Sequence, residues 1–235
     1  MRLLAIGDIH GCLVALDTLL AAIGPTADDW LVTLGDYVDR GPDSCGVMER
    51  LVELASSGRL IAVRGNHEEM MLDARREPML YAQWLQYGGQ NTLDSYAEHG
   101  YDGTLAGVPA AHWNFLENQC VDWFEAPKHF FVHANIDPKR ELTNQPISVL
   151  RWQKFGDPPP HRSGKTMICG HTYQENGWPR NLGHAVCIDT FVYGDGWLTG
   201  LDVATGQFWQ ANQQGQSRTG SLADHLEKPL SQKPR

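Results

Sequence analysis

The chain has 235 residues, of which 42% are hydrophobic and 20% charged, and its net charge at neutral pH is −9. This length and composition are typical of one soluble globular domain. The negative charge argues against nucleic acid as a general partner, because affinity for nucleic acid depends on clustered Lys and Arg.

Neither a membrane span nor a disulfide framework is expected. No apolar run approaches the roughly 20 residues that cross a bilayer, and the short apolar N-terminal stretch predicts a first strand and not a signal peptide. The five cysteines include no C-x-x-C pair, which argues against a cysteine zinc site and favours buried thiols. We therefore expect a cytoplasmic protein without a membrane partner.

Strand and helix patterns alternate over the first seventy residues. The apolar runs Arg2–Gly7, Trp30–Leu34 and Leu60–Val63 are typical of short buried strands. Each is followed by a stretch with helical character: Leu13–Ile23, Val47–Leu54 and Glu68–Arg76. This alternation predicts βαβ units with a parallel sheet, and hence an α/β fold.

Residues from about 78 to 125 predict further helices, and the second half of the chain predicts five more strands. These strands are Phe130–Val132, Thr166–Cys169, Ala185–Ile188, Trp197–Asp202 and Gln207–Gln210, of which the last two form a hairpin. From residue 212 onward Gln, Ser, Gly and Lys dominate. We expect one catalytic domain over residues 1–211 and a disordered tail over residues 212–235.

Polar clusters follow directly after these strands, where α/β sheets place their ligands. After the first strand, Asp8 and His10 lie two positions apart, so that in extended backbone both side chains leave the same face and can grip one divalent ion. After the second strand come Asp36, Asp39 and Arg40. A carboxylate can bridge two ions, and an arginine fork suits two phosphate oxygens.

The third cluster is Arg64-Gly65-Asn66-His67-Glu68. The amide oxygen of Asn66 is a neutral metal ligand. His67 can supply a proton if a carboxylate holds its ring, and Asp39 is the candidate. Taken singly, these motifs have ordinary explanations, such as helix capping by Asn66 or a surface ion pair between Asp39 and Arg40.

Two later strands each end at a histidine, which completes a set of six nitrogen and oxygen ligands. The set is Asp8, His10, Asp36, Asn66, His133 and His171. Six such ligands fit two divalent ions that share one bridging carboxylate, Asp36. The absence of thiolates favours manganese, iron or zinc in an open site, and we expect manganese.

These motifs resemble those of a known family. Asp8-Ile9-His10-Gly11, Gly35-Asp36-Tyr37-Val38-Asp39-Arg40-Gly41 and Arg64-Gly65-Asn66-His67-Glu68 resemble the three signature blocks of the phosphoprotein-phosphatase family of calcineurin-like metallophosphoesterases. His133 and Gly170-His171-Thr172 are similar to its two later metal histidines, and Trp84-Leu85-Gln86-Tyr87-Gly88-Gly89 resembles the small bacterial and phage branch. The resemblance covers about residues 2 to 211 and implies a central β-sandwich of mixed sheets flanked by helices.

The resemblance also implies a role for each matching residue. The first metal would be held by Asp8, His10 and Asp36, and the second by Asp36, Asn66, His133 and His171. Arg40 and Arg64 would bind phosphate, and His67 would be the general acid, oriented by Asp39. The family usually has a further phosphate-contacting arginine between the two late histidines, and here Arg151, Lys154 or, more remotely, Arg162 could serve.

The function implied is hydrolysis of phosphate monoesters, foremost in proteins phosphorylated on serine or threonine, by a hydroxide held on a dinuclear metal centre. Small phosphate esters and phosphotyrosine are further candidate substrates. One alternative is a symmetrical dinucleoside tetraphosphate hydrolase, but those enzymes typically lack the Asp found here at Asp39 and have Asp at the position of Glu68. The other alternative is a scaffold that binds metal and phosphorylated partners without hydrolysis, and its degenerate members lose ligands that this chain keeps.

Overall fold

The computed structural model describes residues 1–227, which form two sheets flanked by helices. The strands are β1 (Leu3–Ile6), β2 (Trp30–Thr33), β3 (Leu60–Val63), β4 (Cys120–Val121), β5 (Trp123–Glu125), β6 (His129–Val132), β7 (Thr166–Cys169), β8 (Arg180–Asn181), β9 (Ala185–Cys187), β10 (Asp189–Thr190), β11 (Trp197–Asp202), β12 (Gln207–Ala211) and β13 (Ser217–Ser221). The α-helices are α1 (Leu13–Ile23), α2 (Ser44–Ser56), α3 (Asn66–Arg76), α4 (Pro78–Trp84), α5 (Gln90–Glu98), α6 (Ala110–Asn114) and α7 (Ile147–Trp152).

Both sheets mix parallel and antiparallel pairs. The first has the order β13-β12-β11-β1-β2-β3-β4, with β10 beside β11, and the second has the order β5-β6-β7-β9-β8. Strands β1, β2 and β3 are parallel, as the alternating pattern predicts, and β11 joins β1 in antiparallel register. Strand β4, which lies in a stretch predicted to be helical, extends the parallel set. The predicted hairpin of β11 and β12 is confirmed, with Leu198 opposite Ala211.

A shared apolar core joins the two sheets. Ala5, Val32 and Leu201 of the first sheet are in one buried cluster with Phe131 and Ile168 of the second. The first sheet also has an outer face, whose side chains pack on the helices. The side chains on the outer face of the second sheet pack on the segment around α7. Because side chains alternate along a strand, each sheet is covered on both faces, which is the layered arrangement of an α/β sandwich.

The prediction that residues 212–235 form a disordered tail is wrong for the segment 217–221. Ser217–Ser221 forms β13, which pairs antiparallel with β12. Arg218 anchors this strand, because its guanidinium lies 3.6 Å from the ring centroid of Trp178 and 4.2 Å from that of Trp197. Low hydrophobicity therefore misled the prediction, since backbone pairing and cation–π contacts order the segment. Residues 228–235 lie outside the described residues.

Within residues 1–227, every helix is too short or too polar to cross a bilayer.

Candidate active site

The polar clusters predicted from the sequence meet at one edge of the sandwich. They follow β1, β2, β3, β6 and β7 in turn, so that five loops contribute to one site. Five non-glycine residues in these loops have positive φ between 46° and 71°: His10, Asp36, Asp39, Arg40 and His171. Such backbone conformations are rare and persist only where the surroundings enforce them, which is common at functional sites.

Glu68 holds two of the loops together. Its buried carboxylate accepts hydrogen bonds from the backbone N–H groups of Asp36 (2.8 Å), Tyr37 (2.6 Å) and Gly65 (2.8 Å). One side chain at the start of α3 therefore fixes the loop after β2 against the loop after β3. In the sequence, Glu68 is recognised only as part of a motif. Its hydrogen bonds show that it positions the backbone of the two loops.

One oxygen of Asn66 and one ring nitrogen each of His133 and His171 meet in the site as hydrogen-bond acceptors. Oδ1 of Asn66 lies 2.9 Å from Nε2 of His133 and 2.9 Å from Nδ1 of His171, and these two nitrogens are 3.2 Å apart. The other ring nitrogens donate outward, from His133 to the Leu34 carbonyl and from His171 to the Trp152 carbonyl. The inner nitrogens therefore present lone pairs as long as the rings are neutral.

Burial keeps these rings neutral. It lowers the pKa of His133 to about 4, and it lowers the pKa of His171 as well. Three lone pairs at mutual distances of about 3 Å repel one another unless a cation lies among them, and imidazole nitrogens with an amide oxygen suit a divalent transition metal. This donor set fits a divalent metal ion, whose identity stays a prediction.

Asp36 lies between two potential ligand groups. Its Oδ1 is 3.4 Å from Nε2 of His133, and its Oδ2 is 3.4 Å from Nε2 of His10. Nδ1 of His10 is 3.1 Å from the Val38 carbonyl, and burial lowers the pKa of His10, so Nε2 again presents a lone pair. The two oxygens of one carboxylate thus face separate groups of ligands, which is the arrangement needed for a bridge between two ions.

Asp8 lies near enough to experience the charge of Asp36, and one of its carboxylate oxygens is unpaired among the described residues. Its Oδ2 accepts the backbone N–H of His171 at 2.9 Å, whereas its buried Oδ1 has no hydrogen-bond partner within residues 1–227. Gly170 is required beside it, because a Cβ there would lie 1.8 Å from Oδ1. A buried carboxylate oxygen without a donor is unfavourable unless it binds a cation.

Asp189 is an acidic residue of this region that the sequence analysis missed. It is 3% exposed, and burial together with the negative charge of Asp36 raises its pKa to about 7. Asp8 experiences the charge of Asp189 in turn. Since Asp189 directly follows the predicted strand Ala185–Ile188, the rule that located the other clusters could have identified it.

His67 and Asp39 form the predicted pair. Nδ1 of His67 lies 2.7 Å from Oδ2 of Asp39, and both side chains are almost fully buried. Asp39 also accepts hydrogen bonds from Nε1 of Trp84 and, at 2.7 Å, from Oγ1 of Thr92. Nε2 of His67 has no hydrogen-bond partner among the described residues. A ring nitrogen of His67 lies within 4.8 Å of the ligand atoms of His10 and Asp36.

The four predicted phosphate-binding residues have different surroundings. Arg40 borders the site, with Nη1 3.3 Å from Nε2 of His10 and its guanidinium 4.6 Å from the ring centroid of Tyr193. Arg64 donates through Nη2 to the carbonyls of Leu116 and Glu117. Lys154 is exposed.

Arg151 is bound on two sides by carboxylates. It forms ion pairs with Glu69 and Asp122, and its side chain is 8% exposed. In this arrangement the guanidinium ties α7 to α3 and to the segment between β4 and β5. Arg40 alone among the four is brought into contact with a predicted metal ligand. Phosphate binding stays a prediction for all four residues.

The fold and the donor set together define a class, the hydrolases that cleave phosphoesters with metal ions. The family model of the calcineurin-like phosphoesterases matches residues 1–175. The chain belongs to this family. It has the α/β calcineurin-like fold of two mixed sheets flanked by helices, as the sequence predicts, and its family uses a dinuclear metal centre.

Relatives with described activities fall into two groups. Serine/threonine-protein phosphatase 1 of Salmonella typhimurium (strain LT2) is 34% identical over 155 residues, which are 65% of this chain and 63% of that protein. A symmetrical bis(5'-nucleosyl)-tetraphosphatase of Ralstonia nicotianae is 35% identical over 139 residues, 57% of this chain and 42% of that protein. Each alignment spans less than two thirds of the relative's length.

Solved structures agree on the fold. A structure described as a proposed diadenosine tetraphosphatase superposes with a TM-score of 0.65 at 21% identity, covering 94% of this chain and 93% of that one. The cold-active protein-tyrosine phosphatase of a Shewanella species superposes with a TM-score of 0.60 at 16% identity, covering 93% of this chain and 80% of that one. At these identities the likeness concerns architecture alone.

Proposed function

We propose that the chain is a phosphomonoesterase that removes phosphate from serine and threonine side chains of proteins, with phosphotyrosine as a further substrate. One observation carries this proposal: His67 is held 2.7 Å from Asp39 beside the group that contains His10 and Asp36. Two divalent cations, for which we propose manganese, would be held by the six predicted ligands. When bound, they supply an activated water and withdraw charge from the phosphate oxygens.

A serine or threonine alkoxide is a poor leaving group and requires a proton, which His67 is placed to give. Burial disfavours the charged ring, but the carboxylates of Asp36 and Asp39 outweigh burial and raise the pKa of His67 above its ordinary value. Asp39 accepts from Nδ1, which leaves Nε2 as the nitrogen that can protonate the departing oxygen. A fully built acid pair therefore supports an alcohol as the leaving group.

Arg40 is the proposed anchor of the phosphate. Its guanidinium stacks on Tyr193 next to His10, and a planar fork can bind two phosphate oxygens at once. The positive charge would stabilise the equatorial oxygens as negative charge builds on them. Arg64 is a second candidate, provided that it gives up its two carbonyl partners when substrate binds.

A second candidate function is hydrolysis of symmetrical dinucleoside tetraphosphates. Tetraphosphatases from several bacteria, including that of Photorhabdus laumondii at 43% identity over 142 residues, are among the relatives. The leaving group in that reaction is a nucleoside diphosphate, which departs without a strong acid. The Asp39–His67 pair and the longer carboxylate of Glu68 therefore favour the phosphomonoesterase.

The test is turnover by the manganese-loaded protein on phosphoserine, phosphothreonine and phosphotyrosine peptides and on diadenosine tetraphosphate. We expect kcat/KM to be highest on a phosphoserine or phosphothreonine peptide and activity to be lost in Asp36→Asn. Higher kcat/KM on diadenosine tetraphosphate would overturn the proposal in favour of the second candidate. If no peptide releases phosphate and diadenosine tetraphosphate yields no ADP, both candidate functions are refuted.

A further inference from the structure

A second cluster of metal-binding atoms lies outside the candidate active site. Cys45 and Glu49 are one turn apart on α2, and His99 follows the C-terminus of α5. One ligand atom from each of the three residues lies within 4.8 Å of the others. The cluster shares no residue with the groups around Asp36. A search for short cysteine motifs does not find this cluster, because its third residue, His99, lies about fifty residues further along the chain.

The contacts of His99 and Glu49 with neighbouring residues are compatible with cation binding. Nε2 of His99 lies 2.9 Å from Oδ1 of Asp43, so a carboxylate holds the imidazole ring in place. A carboxylate that orients a ligating histidine in this way is a recurrent feature of zinc sites. Glu49 has no ion-pair partner within residues 1–227, because the adjacent Arg50 is paired with Asp17 and Glu53.

Access to the cluster is open. A cavity of ≈ 200 Å³ is lined by Gly46, Glu49 and His99. His99 is about one third exposed at its side chain, whereas Cys45 is buried beneath it. A cation can therefore reach Glu49 and His99 from solvent.

We propose that Cys45, Glu49 and His99 form a separate mononuclear site for zinc. A sulfur, a nitrogen and an oxygen ligand suit this borderline-soft ion, and three protein ligands leave one position for water. On binding, the Cys45 thiol gives its proton to solvent and becomes the thiolate ligand. The thiolate separates this site from the candidate active site, whose six predicted ligands are nitrogen and oxygen atoms only.

The zinc would tie α2 to α5, and these two helices hold Asp39. Ser44, next to Cys45, accepts the backbone N–H of Asp39 at 3.1 Å, and Thr92 of α5 donates to the Asp39 carboxylate at 2.7 Å. A clamp between the helices would therefore stiffen the support of the acid pair. The site is a structural or regulatory one, since it is distinct from the predicted catalytic ligands.

Cobalt(II) in place of zinc gives the direct test, because a thiolate bound to cobalt produces a near-ultraviolet charge-transfer absorption that nitrogen and oxygen ligands do not. The full-length protein should show this band on cobalt titration and lose it when zinc is added. Cys45→Ser should abolish the band, and the surface change His99→Gln should weaken cobalt binding at least about tenfold. Cys120→Ser, which removes a half-buried thiol of β4, is the matched control and should retain the band.

A chain that shows no band at saturating cobalt, or a band that survives in both Cys45→Ser and His99→Gln, would overturn the site. Folding of each variant is checked by circular dichroism, and His99→Gln keeps the test decisive if Cys45→Ser does not fold. The absorption does not depend on turnover, so its outcome is separate from that of the proposed hydrolysis.

Discussion

Nε1 of Trp84 lies 3.1 Å from Oδ1 and 3.0 Å from Oδ2 of Asp39, so a helix without a metal ligand holds the carboxylate of the acid pair. Trp84 is 1% exposed at the end of α4, where the chain enters a π-helical turn. Gly88 in this turn has φ 108°, and its carbonyl accepts the N–H of Arg40 at 3.3 Å. The turn therefore connects Trp84 to the loop that carries both Asp39 and Arg40.

Trp84→Phe should lower kcat on a phosphoserine peptide by about tenfold, because a hydrogen bond to a charged group contributes about 1.5–3 kcal/mol and part of it orients His67. KM should change little, since Trp84 lies behind the acid pair. The measurement is steady-state kinetics at fixed manganese.

Trp113→Phe is the matched control for that change. Trp113 is 5% exposed and stacks under Arg75, away from Asp39. It should lose stability with kcat nearly unchanged. Equal losses of kcat in the two variants would assign Trp84 a packing role only.

His67→Asn should reduce kcat on a phosphoserine peptide by about 10²- to 10⁴-fold, the range for removal of a general acid. The loss on p-nitrophenyl phosphate should be much smaller, because its phenolate departs without a proton. Comparing the two substrates on one enzyme preparation makes the test independent of the metal content. Equal losses on both would remove His67 from the acid role.

Metal removal should destabilise the fold as well as stop catalysis. Asp8, Asp36 and Asp189 are buried close together, and their mutual repulsion raises the pKa of Asp8 beyond the effect of burial. Manganese at about 100 times its Kd should stabilise the apoprotein by about 2.7 kcal/mol. Thermal unfolding of chelated protein with and without added manganese measures this difference.

Asp36→Asn is the control for the metal effect, and its melting temperature should respond little to manganese. A wild-type melting temperature that does not rise on addition of manganese would contradict a buried site formed by these carboxylates.

His112 should make stability depend on pH away from the active site. It is 4% exposed next to the Tyr96 hydroxyl, and burial lowers its pKa to about 4. In the unfolded chain His112 has a pKa of about 6.5, so between pH 6.5 and pH 4 it is protonated in the unfolded chain and neutral in the folded chain. Proton binding to the unfolded chain therefore lowers the free energy of unfolding as the pH falls from 6.5 towards 4.

The expected contribution of His112 to the loss of unfolding free energy between pH 7 and pH 5 is about 1–2 kcal/mol. Urea unfolding at both pH values should show this loss in the wild type and a smaller one in His112→Gln. The same pH dependence in both proteins would show that His112 does not titrate on unfolding.

The sequence predicted the elements whose side chains follow a clear pattern. Helix α1 begins at Leu13 and ends at Ile23 as predicted, since its apolar residues recur at helical spacing and Gly24 ends it in a left-handed conformation with φ 54°. Short edge strands such as β4, β8 and β13 were missed. Their order comes from pairing with a neighbour and from contacts such as Arg218 on Trp178, which local pattern does not record.

The clusters at the strand ends were predictable because each pairs a hydrophobic run with metal-ligand residue types. The contacts that support Asp39 were not predictable, because Trp84 and Thr92 lie on α4 and α5, and the π-helical turn Leu85–Gly89 between these helices places both side chains next to Asp39. The partners of Arg151 were equally hidden, since Glu69 and Asp122 come from distant parts of the chain. Long-range ion pairs of this kind leave no signal in a single sequence.

We propose that the carboxylate of Asp36 bridges two cations. An anomalous-diffraction map of crystals grown with manganese measures this directly. We expect two peaks about 3.5–4 Å apart, one on each side of Asp36. One of them should lie within ligand distance of Asp8 and His10, and the other within ligand distance of His133 and His171. A single peak, or peaks out of reach of Asp36, would contradict the claim.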